Sequence, residues 1–307
     1  MKKVFIDGSA GTTGLRIVDR LQSRKDIELM ILPEELRKDM KARREAINKA
    51  DIVFLCLPDS AAVEAVSLCD NPDTVIIDTS TAHRTAPGWT YGFPELSGKR
   101  DDIKKSKRIA NPGCHASGFV ALIAPLTEKS LIKQETSLSC FSLTGYSGGG
   151  KKMIAEYESD DRCDFLNSPR MYGLGQNHKH LKEMVKICNL ETAPAFCPVV
   201  ADYYSGMEVN ITLFGKDVNG SVEDIKNAYK SYYDHGLVKF AENSDEDGFV
   251  SANALSGKDN MEISVFGNEE RIVLTARFDN LGKGASGSAI QNMNIVLGVD
   301  ENTGLNV

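Results

Sequence analysis

The stretch "FIDGSAGTTGLRI" near the start of the chain constrains the fold more than any other. "KKVFIDG" has the length and apolar content of a buried strand, and Gly8, Gly11 and Gly14 follow at once. "GTTGLRIVDRLQS" then sets Leu15, Val18 and Leu21 at helical spacing. Strand, glycine turn and helix in direct succession open a βαβ unit of the kind that holds a dinucleotide. One glycine permits the tight turn, another lets a pyrophosphate approach the backbone, and a third lets helix pack on strand. The helix N-terminus supplies the N–H groups that receive the negative charge. The spacing is GxxGxxG rather than GxGxxG, so the context carries this reading. The whole turn, Gly8, Ser9, Ala10, Gly11, Thr12, Thr13 and Gly14, is the expected cofactor cradle. Two lysines before an apolar run resemble the start of a signal peptide, but the run ends within a few residues in the glycine loop, so a strand is expected.

The alternation continues. "IELMIL" reads as a second strand and "ADIVFLCLP" as a third, apolar throughout as a strand covered on both faces should be. "SAAVEAVSLC" reads as a helix capped by Ser60, and "TVIIDTS" as a fourth strand. This predicts an α/β, doubly wound, Rossmann-like parallel sheet. Leu57 and Pro58, at the carboxyl end of the third strand, are candidate cofactor contacts. The end of the second strand leaves the nucleotide open: Glu34 or Glu35 can hold a ribose diol, Arg37 and Lys38 a 2′-phosphate, with a slight lean to NADP. After residue 117 the pattern changes to longer alternating strands, among them "SLSCFSLTGYSG" and "MEISVFGNEERIVLTARFDN". "SVEDIKNAYKSYYDH" is an amphipathic helix. A second, α+β domain with a mainly antiparallel sheet is expected over 118–285. The cofactor domain is expected over 1–117 and, through a returning helix, 286–307.

Hydrophobic residues make up 41% and charged residues 26%, which places the chain among ordinary globular proteins. No apolar stretch is long enough to span a bilayer. The net charge of −7 argues against a nucleic-acid partner. The basic cluster "LRKDMKARR" is interrupted by acids and reads as a solvated helix face. Seven cysteines without CxxC pairs argue against a disulfide framework or a zinc knuckle, and for a reducing, cytoplasmic setting with no metal site.

One of those cysteines stands out. "NPGCHASG" puts Cys114 in a turn between the short strand "SKRIA" and the helix "GFVALIAPLTEKSLI", at a helix N-terminus where a thiolate is favoured over a thiol. A thiolate beside a nicotinamide cofactor points to acyl-group reduction through a thioester. That chemistry needs an imidazole, and "GLGQNHKHLKEM" offers His178 and His180 together at a helix start. His83, His115 and His235 are poorer candidates. Ser80 and Arg84 in "DTSTAHR" are placed to hold phosphate or a substrate carboxylate. "TGYSGGGKK" offers Ser147, Gly148 and Gly149 as a backbone anion site or a closing loop, with Lys151 and Lys152 behind. "GKGASGSAIQNMN" places Ala285, Gly287 and Asn292 where they can touch cofactor or simply pack closely on the sheet.

The segments "GSAGTTGLRI", "DTSTAHR", "NPGCHASGF", "TGYSGGGKK", "NHKHLKEM" and "NLGKGASGSAIQNMN" occur in this order. In this the chain resembles, from end to end, the shorter, type 2 N-acetyl-γ-glutamyl-phosphate reductases. The resemblance implies NADPH-dependent reduction of an acyl phosphate to a semialdehyde, with release of phosphate, in arginine biosynthesis. It implies NADP(H) as cofactor, Cys114 as nucleophile, and the acid/base role on His178 with His180 second. Longer members of that family carry Tyr-Pro-Thr where this chain has His115, Ala116 and Ser117, so contacts in that turn do not carry over. Aspartate-semialdehyde dehydrogenase shares the chemistry and is the alternative. A cysteine sensor that binds NADP without turnover, or a dinucleotide-binding subunit without chemistry, are the readings from other classes. A homodimer or homotetramer is expected.

Overall fold

The computed structural model describes residues 1–307, and Cα packing divides them into two compact units. The first comprises Met1–Pro112 with Ala285–Leu305, the second Gly113–Gly284 with Asn306–Val307.

The first unit carries strands β1 (Lys2–Asp7), β2 (Ile27–Met30), β3 (Ile52–Leu55), β4 (Val75–Asp78), β5 (Thr90–Tyr91) and β6 (Arg108–Ala110). They form one sheet in the order β2-β1-β3-β4-β6-β5, parallel throughout. Helices α1 (Thr12–Leu21), α2 (Met40–Lys49), α3 (Asp59–Ser67) and α4 (Lys99–Lys105) connect the strands. The sheet separates two apolar layers. Val4, Ile6, Phe54 and Ile77 face one, with Ile17 and Leu21 of α1; Phe5, Val53, Leu55 and Ile76 face the other, with Ala46 and Ile47 of α2. Burial on both faces is why β3 and β4 are apolar at every position but the last of β4.

Residues 40–44 of the basic cluster open a helix, α2, whose N-terminus Asp39 caps by accepting the Ala42 N–H at 2.7 Å, while residues 36–39 lie before it. Arg43 turns inward from it to pair with buried Asp7 at 3.0 Å and with Glu64 at 2.7 Å. The expected cap of α3 is corrected: Pro58 occupies the cap position and Ser60 lies inside the first turn. Proline needs no donor there, so its fixed φ starts the helix without a side-chain cap.

The second unit is built on helix α5 (Cys114–Glu128), buried on nearly every face and packed on a seven-stranded sheet. The strands are β7 (Ser139–Gly145), β8 (Arg170–Met171), β9 (Ala195–Ala201), β10 (Met207–Phe214), β11 (Val238–Phe240), β12 (Met261–Gly267) and β13 (Arg271–Phe278). Their order is β11-β12-β13-β10-β7-β9-β8. Only β7–β9 and β11–β12 run parallel, so the sheet is mixed but mainly antiparallel. Helices α6 (Gly150–Tyr157), α7 (Leu181–Ile187) and α8 (Val222–Tyr232) complete it. Pro125 inside α5 has no N–H for the Ala121 carbonyl, and the Tyr233 hydroxyl takes that place at 2.7 Å. The returning helix α9 (Gly287–Leu297) belongs to the first unit, where Ala289, Ile290 and Met293 join its core.

Candidate active site

In the first unit the chain switches sides of the sheet between β1 and β3, and ligands of such sheets lie at the carboxyl ends of those strands. Gly8 ends β1 at φ +87°, and a Cβ there would overlap the Cys56 carbonyl just past β3. A glycine is therefore required for the turn to reach Leu57. The Gly11 N–H closes the turn on the Gly8 carbonyl at 3.0 Å. Ser9, Ala10, Thr12 and Thr13 line it, half-exposed. Helix α1 starts here with no side-chain cap and no acid in its first turn, leaving N–H groups and the positive dipole end for an anion. Arg37 pairs with Glu34 beyond β2.

A second feature of this unit also fits a dinucleotide. Asn292 on α9 is fully buried; its Nδ2 donates to the Gly92 carbonyl at 2.9 Å and to Asn111 Oδ1 at 3.2 Å. Its Oδ1 has no partner, a buried acceptor suited to an amide donor such as a carboxamide. Asn111 in turn donates its backbone N–H to the Asp78 carbonyl at 2.7 Å and its Nδ2 to the Ala285 carbonyl at 3.0 Å.

Ser80 and Arg84 both have internal duties. Asp78 accepts the Ser80 N–H at 2.9 Å and its hydroxyl at 2.7 Å, and lies 2.6 Å from His83 Nδ1. The His83 ring stacks on Trp89 with centroids 4.0 Å apart. Arg84 donates to the carbonyls of Asn111, at 2.9 Å, and Thr79, at 3.0 Å. It thereby ties the ends of β4 and β6 together.

In the second unit Cys114 is the first residue of α5, and the only half-exposed residue in the buried run from Asn111 to Leu126. Gly113 precedes it in an extended conformation and donates its N–H to Glu183 Oε1 at 2.9 Å. Gly284 lies against the thiol-bearing carbon: a Cβ there would stand 3.0 Å from Cys114 Cβ. The turn holding Gly284 is anchored by Asp279, whose Oδ1 accepts the Leu281 N–H at 2.7 Å. Asn280 of the same segment donates to Ser147 Oγ at 3.0 Å and accepts the Gly206 N–H at 2.9 Å. Ser147 itself is buried. The triple glycine is no open loop: Tyr146–Gly149 form a 3-10 turn that leads directly into α6, with Gly150 at φ +75°.

The histidine loop is pinned to β9. Gln176 donates to the Phe196 carbonyl at 2.7 Å and accepts its N–H at 2.8 Å, as a neighbouring strand would. Tyr172 donates its N–H to the Pro198 carbonyl at 3.0 Å. His178 packs on Phe196 at 5.2 Å and on His180 at 4.7 Å between ring centroids. The His180 N–H donates to His178 Nδ1 at 3.2 Å, which in the neutral ring leaves the proton on Nε2.

His115, set aside on sequence, is part of this cluster. Its ring lies 5.8 Å from His178 and 5.7 Å from His180. Its Nδ1 is 2.7 Å from Ser142 Oγ and its Nε2 is 2.6 Å from the Tyr172 hydroxyl. Burial, helped by His178, pushes its pKa down to about 3, so the ring is neutral. Burial raises the Tyr172 hydroxyl well above its ordinary value, and the charge of nearby Cys114 adds to this. The structure thus brings His178 and His180 together with His115, the residue after Cys114, adds Tyr172, and sets Glu183 on Gly113, the residue before it. Glu183 had a signal in the sequence: it lies three residues beyond His180, one helical turn into α7.

A dinucleotide cradle on a doubly wound sheet, with a helix-terminal cysteine among imidazoles, defines the class of semialdehyde dehydrogenases. Residues 3–106 match the family model "Semialdehyde dehydrogenase, NAD binding domain", and residues 114–280 match "Semialdehyde dehydrogenase, dimerisation domain". The N-acetyl-gamma-glutamyl-phosphate reductase 2 of Nostoc sp. is 43% identical, covering 99% of both chains. The Brucella ovis N-acetyl-gamma-glutamyl-phosphate reductase is 42% identical over 96% of this chain and 99% of its own. The chain belongs to the N-acetyl-γ-glutamyl-phosphate reductase family. Solved aspartate semialdehyde dehydrogenases share the fold. That of Vibrio cholerae (form II) has a TM-score of 0.72 at 15% identity, covering 97% of this chain and 98% of its own. That of Francisella tularensis has 0.72 at 16%, covering 97% and 100%.

Proposed function

We propose that this protein reduces N-acetyl-γ-glutamyl phosphate to N-acetylglutamate semialdehyde with NADPH, releasing phosphate, as a step of arginine biosynthesis. The full-length relatives named for this reaction support the substrate. The single observation that carries the chemistry is Cys114 at the N-terminus of α5, next to His115, whose ring lies 5.8 Å from His178 and 5.7 Å from His180.

The Cys114 thiolate attacks the acyl carbon; the C–O bond to phosphate breaks, phosphate leaves with that electron pair, and a thioester remains. The bound nicotinamide cofactor supplies the hydride that reduces this thioester. His178, with its proton on Nε2, donates that N–H to the carbonyl oxygen and holds the negative charge that gathers there as the hemithioacetal anion forms. That oxyanion re-forms the C=O bond as the C–S bond breaks and the aldehyde departs, which returns the thiolate, and the proton stays on Nε2 throughout. His180 is second in this role, and its N–H fixes the His178 tautomer. Gly8 to Gly14, Leu57, Pro58 and Asn292 are the proposed cofactor residues. Ser80, Arg84, Ser147, Gly148 and Gly149 are the proposed substrate residues. The chain is a cytoplasmic homo-oligomer on this reading. In support, no helix is long and apolar enough to cross a membrane, and residues 114–280 match a model described as a dimerisation domain.

The test runs the reaction backwards. Purified protein with NADP⁺ and phosphate is offered N-acetylglutamate semialdehyde or aspartate semialdehyde, and NADPH absorbance is followed. Phosphate-dependent turnover is expected, with kcat/KM for the acetylated substrate at least about 100-fold higher, because a site built for the acetamide leaves polar groups unpaired with the free amine. Preference for aspartate semialdehyde refutes the assignment. NADPH binding without turnover on either moves the reading to the cysteine sensor.

A further inference from the structure

Asp279, just past the end of β13, is fully buried, and its carboxylate spends both oxygens on one short stretch of chain and its neighbours. Oδ1 accepts the N–H groups of Leu281 at 2.7 Å and Gly282 at 3.1 Å. Oδ2 accepts the Ser205 hydroxyl at 3.0 Å and the Gly257 N–H. The Asp279 carbonyl takes two more, from Gly282 at 3.1 Å and Gly284 at 2.9 Å. A buried carboxylate is tolerated only when its lone pairs are used, and here they close the turn 279–284 from within and moor it to two other loops.

That turn leans on the start of α5. A Cβ on Gly284 would stand 3.0 Å from Cys114 Cβ and 3.3 Å from the Phe278 ring. A Cβ on Gly118, one helical turn beyond Cys114, would stand 2.9 Å from the same ring. On the other side of Cys114 in the chain, the Gly113 N–H is held by Glu183 Oε1 at 2.9 Å. The first turn of α5 has no side-chain cap and no acid, so its positive end is left for the residue that opens the helix. That field falls off within a turn, so it serves the sulfur only where the thiol is held close to it.

We propose that Asp279 is a positioning residue for the nucleophile, acting through Gly284. It keeps the turn pressed on Cys114 Cβ, which closes one side of that carbon to the thiol and confines the sulfur to the rotamers that remain. This deepens the reductase reading, on which it rests for the reaction that Cys114 performs.

The test uses neither substrate nor cofactor, so its failure is distinct from failure of the reductase assignment. Iodoacetamide alkylation of Cys114 at pH 7, assigned at peptide level among the seven cysteines, is timed in the whole protein. Asp279→Asn keeps the shape but turns an amide NH2 toward groups that are themselves donors. The folded variant, checked by near-ultraviolet circular dichroism, is expected to be alkylated about two- to fivefold more slowly. Removing a negative charge would by itself favour the thiolate and speed the reaction, so slowing separates position from charge. A residue that only supports the fold leaves the rate of the folded variant unchanged. Gly284→Ala sets a methyl against Cys114 and should slow alkylation to a similar extent. The double variant should be no slower than the slower single one, because a loosened turn yields to the methyl. Ser205→Ala removes one of the four donors, stands in if Asp279→Asn does not fold, and should slow the reaction about twofold. An unchanged or faster rate in folded Asp279→Asn, or in Ser205→Ala where it stands in, overturns the proposal. So does a double variant in which the two slowings simply multiply.

Discussion

At the scale of the residue, the environment of each imidazole decides what it does. His115 is closed off in the interior and stays neutral down to about pH 3, against 6.5 for an exposed ring. Between those values the unfolded chain binds a proton at this ring and the folded chain does not. Its contribution to stability is therefore complete above pH 6.5 and is lost as the pH falls toward 3. The slope is about 1.4 kcal/mol per pH unit, which makes a loss of about 2 kcal/mol at pH 5 relative to pH 7. Urea unfolding of wild type and His115→Gln at both values checks this. The wild type should lose about 2 kcal/mol more than the variant, and equal losses contradict a buried neutral ring. Cys114 was legible in the sequence because its signal is local: a turn, then a helix start. His115 was not, because its partners lie 27 and 57 residues away in the chain and meet it only when α5 packs on β7 and the Tyr172 loop.

The glycine turn between β1 and α1 was readable because its order along the chain, strand then turn then helix, is also its order in space. The structure supplies the reason in contacts: Gly8 at φ +87° against the Cys56 carbonyl, and Gly14 of α1 against the Gly8 carbonyl. Gly8→Ala is expected to cost at least ~2 kcal/mol of stability, from the left-handed backbone and the overlap together. It should also weaken NADPH binding more than tenfold, measured by fluorescence titration. Wild-type affinity in a folded Gly8→Ala variant contradicts the cradle. At the triple glycine only the closing-loop alternative fails, and for the opposite reason. Composition there signals a bendable loop, whereas the chain winds straight from a 3-10 turn into α6, and Ser147 is held inside by Asn280, far along the sequence. The parallel pairing of β7 with β9 was equally hidden, since alternation along a strand fixes its faces but not its neighbours.

For the whole molecule, alternating βα order announced the first unit, and the change of pattern after it announced a second built on another plan. Both units are needed for the chemistry proposed, one to bind the hydride carrier and the other to hold the acyl group on sulfur. That division gives a direct measurement. Wild-type protein at known active-site concentration is mixed rapidly with NADP⁺ and N-acetylglutamate semialdehyde in the absence of phosphate. NADPH absorbance is followed, and intact mass is recorded after acid quench. A thioester on Cys114 predicts a burst of one NADPH per chain, a mass gain of one N-acetylglutamyl group on Cys114, and steady turnover only when phosphate is added. Cys114→Ser should bind NADP⁺ normally and show neither burst nor adduct. Full turnover by that variant, or phosphate-independent turnover without any acylated protein in the wild type, contradicts a thioester on Cys114.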